Sequence, residues 1–155
     1  MDHLSIDIET RSSADIGKTG LYRYAQDEDF KVLLFAYKWN LSPVEIVDLE
    51  QGEQIPKEIL RMLRDPKVVK HAYNAAFEWF CLNQAGYNTP LEQWRCTMIH
   101  GLYCGYTAGL EATGKAIGLP QEKQKLTVGK SLIRYFCVPC KPTKSNGGRK
   151  WNLPK

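Results

Sequence analysis

Residues 3–9, HLSIDIE, constrain the fold more than any other stretch, because Leu4, Ile6 and Ile8 alternate with Ser5, Asp7 and Glu9. Alternation of period two marks a strand with one face in a core. Asp7 and Glu9 then project from the same face. Side chains at i and i+2 of a strand stand about 6.5–7 Å apart, and like charges at that spacing repel once they are partly desolvated. Either a positive charge is expected between them, or the strand ends there and both acids face water before the Ser12–Ser13 turn.

The elements that follow decide what sheet this strand enters. Thr10 to Gly20 is polar and rich in turn formers, and GLYRYAQDEDF (20–30) reads as a short helix or turn. KVLLFAYKW (31–39) and VEIVDL (44–49) are dense in β-formers and joined by a hairpin-sized link. IPKEILRMLRD (55–65) is a helix with Pro56 in its first turn, and KVVKHAY (67–73) is a short fourth strand. A helix capped by Asn74 then runs to about Gly86, and helices are expected over 94–105, 110–118 and 128–136. Residues 137–155 have three prolines, two glycines and no apolar period, so they read as an extended basic loop. A β-β-β-α-β-α order implies an α/β fold with a mixed sheet: an antiparallel meander, then a helical crossover to a fourth strand parallel to the first. The first strand is thereby central, with its carboxylates near its carboxyl end, where open α/β sheets commonly bind ligands.

The 155 residues are about one domain's worth, and 43% hydrophobic residues suffice for one core. No apolar run reaches the ~18–20 residues needed to span a bilayer, and MDHLSIDIE lacks the features of a signal peptide, so a cytoplasmic protein without a membrane partner is expected. Five irregularly spaced cysteines suit a reducing compartment. Charge is distributed unevenly. Residues 1–114 carry 11 Lys/Arg against 16 Asp/Glu, whereas residues 115–155 carry ten against one. Such a run is ordinarily a solvated face, but a basic surface serving an acidic pocket is also what a metal-dependent enzyme acting on a polyanion needs. Lys130, Arg134, Lys141, Lys144, Arg149 and Lys150 are the candidate contacts to the phosphates of such a polyanion, with Lys125 and Lys155 in the same basic stretch.

A second acidic position lies in HAYNAAFEWF (71–80), where Glu78 falls in the first turn of the Asn74 helix. The helix dipole favours an acid there with no chemistry required. Taken together, D-I-E-T at the end of the first strand and N-A-A-F-E at the start of this helix resemble the proofreading 3′→5′ exonuclease domains of phage and prophage family A DNA polymerases, members of the DEDD exonuclease superfamily. The resemblance covers nearly the whole chain, including G-K-x-L-I-R-Y-F. It implies an RNase H-like fold in which Asp7, Glu9 and Glu78 are catalytic and hold two divalent cations, Mg²⁺ or Mn²⁺. It further implies that Thr10 sits by the terminal nucleotide, and that Asn74 and Phe77 shape the pocket for the last bases. Two departures stand out: the second-motif acid is usually Asp, and the family's third motif, Tyr-x-x-x-Asp, is missing after Arg134.

The resemblance implies a metal-dependent exonuclease module of a longer DNA polymerase, acting on single-stranded DNA. This stretch is expected to be truncated at its C-terminus, to lack its last helix and the polymerase region, and to be weakly active or inactive alone, with dimerisation as one way to cover the exposed sheet. The alternatives are a catalytically silent nucleic-acid-binding module and a stand-alone exoribonuclease of the same superfamily. Cys137 and Cys140, with Cys96, His100 and Cys104 at helical spacing, make a zinc site imaginable, although small core residues fit the same pattern. His71 is expected to be a core or near-site histidine.

Overall fold

A computed structural model of the chain describes residues 1–107, 109–123 and 128–153. The candidate basic residues Lys125 and Lys155 lie outside the described residues. The chain packs as two compact units, one of residues 1–9 and 32–124, the other of residues 10–31 and 125–155.

The first unit is built on a five-stranded sheet of order β3-β2-β1-β4-β5, whose strands are β1 (His3–Arg11), β2 (Lys31–Trp39), β3 (Glu45–Asp48), β4 (Val69–Ala72) and β5 (Trp94–Cys96). The expected alternation holds in β1, where Leu4, Ile6 and Ile8 are buried and Ser5 and Asp7 exposed. The end of β2 lies beside the start of β1, with Asn40 N–H donating to the His3 carbonyl at 2.9 Å, so these two strands run antiparallel. β2 and β3 are antiparallel, while β1 pairs β4 in parallel with Ser5 opposite His71. The meander, the crossover and the central position of β1 are therefore as expected. The sheet is mixed and flanked by helices, as expected.

Helix α2 (Lys57–Arg64) supplies the crossover and buries Ile59, Met62 and Leu63. Helix α3 (Ala75–Gln84) packs on β4 and β5, and α4 (Thr97–Tyr103) packs on β4. The α3 helix stops where Gly86 adopts φ 87° and Tyr87 N–H returns to the Leu82 carbonyl at 3.0 Å, a glycine-terminated cap. Helix α5 (Leu110–Ala116) and a short 3₁₀ turn at Gln121–Lys123 follow. The core holds Leu4, Phe35, Leu63 and Leu82, each fully inaccessible. Lys70 is fully inaccessible too, and its Nζ donates to the Asp65 carbonyl at the C-cap of α2, where a cation is favoured. Burial holds the Lys70 ammonium below its usual value, against the pull of Asp65 and Glu92.

Three expectations need correction here. Trp94–Cys96 opens not a helix but a parallel edge strand, with Lys70 opposite Trp94 and Ala72 opposite Cys96. Three residues are too few for periodicity to reveal. The helix expected from Gly20 onward starts earlier, taking in Ile16 to Thr19 of the stretch expected as turn: α1 (Ile16–Ala25), in the second unit, is capped by the Asp15 side chain and kinked where Gly20 takes φ 77°. Finally, residues 137–153 are not extended, because they turn back on themselves through Gly147 and Gly148, both at positive φ.

The second unit also contains helix α6 (Val128–Phe136). Its buried hydrogen bonds centre on Tyr24, whose Oη pairs with Thr10 Oγ1 at 2.8 Å and whose carbonyl accepts from Ser12 Oγ at 2.8 Å. Among the described residues, no helix is long and apolar enough to cross a membrane.

Candidate active site

Parallel pairing of β1 and β4 sets the geometry. With Ser5 opposite His71, the next outward residues of β1, Asp7 and Glu9, reach the level of the Tyr73–Asn74 turn, from which α3 departs. The chain reverses there because Asn74 adopts the left-handed conformation, φ 71° and ψ 51°, which asparagine tolerates better than most side chains. Asn74 occupies the N-cap position, but its side chain makes no capping bond; its carbonyl instead accepts from Phe77 N–H at 2.8 Å. The capping role expected for its side chain is thus taken by its backbone carbonyl.

Glu78, in the first turn of α3, is only 3% exposed, and its buried Oε2 has no hydrogen-bond partner among the described residues. Burial pushes its carboxyl up to about 8, and electrostatic repulsion from Asp7, Cys96 and Glu9 adds to the effect while a backbone hydrogen bond opposes it. Both acids of the β1 face are therefore close enough to weigh on Glu78. Asp7 is exposed and Glu9 half-buried.

An orphaned carboxylate oxygen, buried beside two further acids, suits a divalent cation that takes hard oxygen ligands. The ligand set is not closed, however: among the described residues no group of three or more His, Cys, Asp or Glu is gathered tightly enough to grip an ion. That applies equally to the imagined zinc site. Cys96 ends β5 and Cys104 follows α4, so Cys96, His100 and Cys104 do not share one helix face.

Cys96 instead belongs beside Glu78, a placement that sequence spacing did not reveal because β5 was read as helix. Burial alone would raise its thiol, but the backbone N–H groups of Ile99, Ala75, Asn74 and Met98 outweigh burial and hold it below the ordinary value. Phe77 is half-buried on the first turn of α3. Thr10 is buried, and its hydroxyl is engaged by Tyr24 on the strand face opposite Glu9. Lys130 and Arg134 are exposed on α6, and Lys141, Lys144 and Arg149 are exposed beyond it, all in the second unit. His71 Nε2 lies 2.9 Å from His3 Nδ1, in keeping with a partnered histidine near the sheet surface.

No protein-family model matches the chain. The chain is 50% identical over 157 residues to a DNA polymerase of Bacillus phage SP02; the match takes in 100% of this chain and 24% of the polymerase. Among solved structures it is similar to Brucella melitensis NrnC, with 17% identity, a TM-score of 0.58, and 81% of this chain and 56% of that chain covered. A structure described as the apo form of the nuclease gives 18% identity and a TM-score of 0.59, covering 83% of this chain and 56% of that one. The resemblance carried by D-I-E-T and N-A-A-F-E is borne out: along its whole length the chain is similar to part of a phage DNA polymerase, and its fold is the RNase H-like fold of these solved structures.

Proposed function

We propose that residues 1–155 act as one 3′→5′ exonuclease domain of a phage-type DNA polymerase, removing nucleotides from single-stranded DNA ends with two Mg²⁺ or Mn²⁺ ions. The observation that carries this reading is Glu78: a buried carboxylate with an unpartnered oxygen, under the charge of Asp7 and Glu9, in a chain similar to part of a polymerase. A structure of NrnC is described with bound Mg²⁺ and another as bound to pGG, which supports a divalent cation and a nucleotide substrate for this fold.

Asp7, Glu9 and Glu78 would hold the cations. When bound, these supply activation of water and stabilisation of the leaving oxygen, the two needs of phosphodiester hydrolysis. Glu78 must first give up its proton, because a carboxylic acid is a poor ligand, and cation binding therefore competes with protons. Asp7 and Glu9 make that loss harder without a cation and favourable with one. Phe77, beside Glu78 on the first turn of α3, would meet a base, and Lys130, Arg134, Lys141, Lys144 and Arg149 would take phosphates. The missing Tyr-x-x-x-Asp would come from elsewhere in the longer polymerase, and residues 1–155 alone would then hydrolyse DNA slowly, since unoriented water costs of the order of 10² in rate.

A second reading, binding without hydrolysis, is favoured by the open ligand set among the described residues. Single-stranded DNA labelled at its 5′ end, incubated with Mn²⁺, separates the two. The first reading gives a ladder of successively shortened strands that Asp7→Asn slows by about 10². Intact strands, or immediate release of the 5′ label as a mononucleotide, would refute it.

A further inference from the structure

The cations of the C-terminal segment do not all face solvent on equal terms. The loop is folded around Asn146, whose Oδ1 accepts from Thr143 N–H at 2.9 Å and whose Nδ2 donates to the Lys141 carbonyl at 2.9 Å. Gly148 N–H returns to the Thr143 carbonyl at 2.8 Å, and Arg149 Nε donates to the Asn146 carbonyl at 2.8 Å. Cys140 N–H closes the loop onto the Lys150 carbonyl at 2.8 Å. Its base is tied down at two points. Lys150 Nζ donates to Asp29 Oδ2, which also accepts from Ser13 Oγ. One residue on, the Trp151 ring lies under the Arg11 guanidinium at 5.0 Å. Lys141, Lys144 and Arg149 are exposed and none is paired with a carboxylate among the described residues.

Lys150, which the sequence puts among the phosphate contacts, is therefore already spent on Asp29. We propose that the 141–149 loop is a preformed grip for the phosphates of single-stranded DNA, in which Lys141, Lys144 and Arg149 make the contacts while Lys150, locked to Asp29, is a strut that holds the loop in shape. This deepens the nuclease reading above and rests on it. A loop already ordered loses less freedom on binding than a free basic tail, so the strut contributes to affinity without touching a phosphate.

The two roles leave different signatures. Each phosphate contact on a single strand contributes about 0.7 to the slope of log affinity against log salt, so three contribute about 2, or about a 20-fold loss between 50 and 200 mM salt. A strut residue changes affinity at every salt concentration and leaves the slope alone. The Asp29→Asn variant gives the sharpest contrast, because it frees Lys150 and makes the chain more positive.

Binding of a fluorescent oligothymidylate is measured by anisotropy in EDTA, so that hydrolysis is silent, from 50 to 200 mM salt. The triple variant Lys141→Ala, Lys144→Ala, Arg149→Ala should flatten the slope by about 2. Asp29→Asn and Lys150→Gln should each weaken binding about fivefold with the slope unchanged, and the reversed pair Asp29→Lys with Lys150→Asp should recover most of it, which guards against misfolding of the single variants. Tighter or steeper binding by Asp29→Asn would overturn the strut, as would a slope change in Lys150→Gln equal to that of a contact residue. Wild-type chain that hydrolyses the strand in Mn²⁺, yet keeps its slope in the triple variant, would overturn the grip alone. Absence of both binding and hydrolysis would overturn the nuclease reading with it.

Discussion

Replacing Glu78 with glutamine keeps the shape of the side chain and deletes its charge. In the folded chain burial, reinforced by Asp7, raises the Glu78 carboxyl from 4.5 to about 8. A group raised on folding binds its proton more tightly in the native state, so its contribution to stability is fully present below pH 4.5 and is lost as pH rises through about 8. At 1.36 kcal/mol per unit, keeping the ionised form inside the fold costs about 4 kcal/mol more at pH 9 than at pH 5. Glutamine escapes that penalty. In urea unfolding followed by tryptophan fluorescence without divalent ions, wild type and Glu78→Gln should nearly coincide at pH 5, and the variant should be more stable by about 4 kcal/mol at pH 9. Mn²⁺ at pH 9 should raise wild type and leave the variant where it was. Parallel stability curves for the two proteins across this range would refute the reasoning, because they would mean that Glu78 ionises as freely in the fold as in the unfolded chain.

Asp7→Asn should lower Mn²⁺-dependent hydrolysis by about 10² and also bring the Glu78 carboxyl down, readable as a shift of the pH–stability curve to lower pH, since the Asp7 charge raises it. Lys70→Ala leaves a cavity beneath the sheet and uncovers the Asp65 carbonyl, so its urea midpoint should reveal a loss of about 2–4 kcal/mol, with Lys70→Met, closer in volume, losing less. His71 is held below its ordinary value by burial and then by His3 and Arg95, so its contribution is present above pH 6.5 and lost as pH falls through its lower folded value. The His3–His71 contact accommodates one proton between its facing nitrogens, and His71→Gln should flatten the fall in melting temperature between pH 6.5 and pH 5.

The sheet was legible because its strands carry their own signals. Leu4, Ile6 and Ile8 alternate, and Lys31–Trp39 is dense in β-formers, so order and direction followed from the connecting lengths alone. β5 carried no such signal. Three residues, Trp94, Arg95 and Cys96, cannot establish a period, and the apolar residues of α4 drew them into a helix. Misreading β5 hid Cys96 from the site, since its neighbours Asn74 and Ala75 are brought to it by β4–β5 pairing rather than by sequence. Lys70 was equally unreadable: a lysine in a strand argues for exposure, and only the carbonyl of Asp65 at a helix end explains its burial. The carboxylates fared better, because a same-face pair on β1 and an acid in the first turn of α3 are local properties. Their environment was not local. That Glu78 is buried and lacks a partner for Oε2 depends on the packing of α3 against β4 and β5.

Cation binding with proton counting tests the central claim, that Asp7, Glu9 and Glu78 form one divalent-cation site. Mn²⁺ is titrated calorimetrically at pH 7 in buffers of different ionisation enthalpy. With the Glu78 carboxyl near 8, about 0.9 proton should leave the protein for each site filled. Release should fall towards zero at pH 9, and Glu78→Gln should weaken binding and abolish release at pH 7. Mn²⁺ binding that frees no proton, or that is equally tight in Glu78→Gln, would contradict the account.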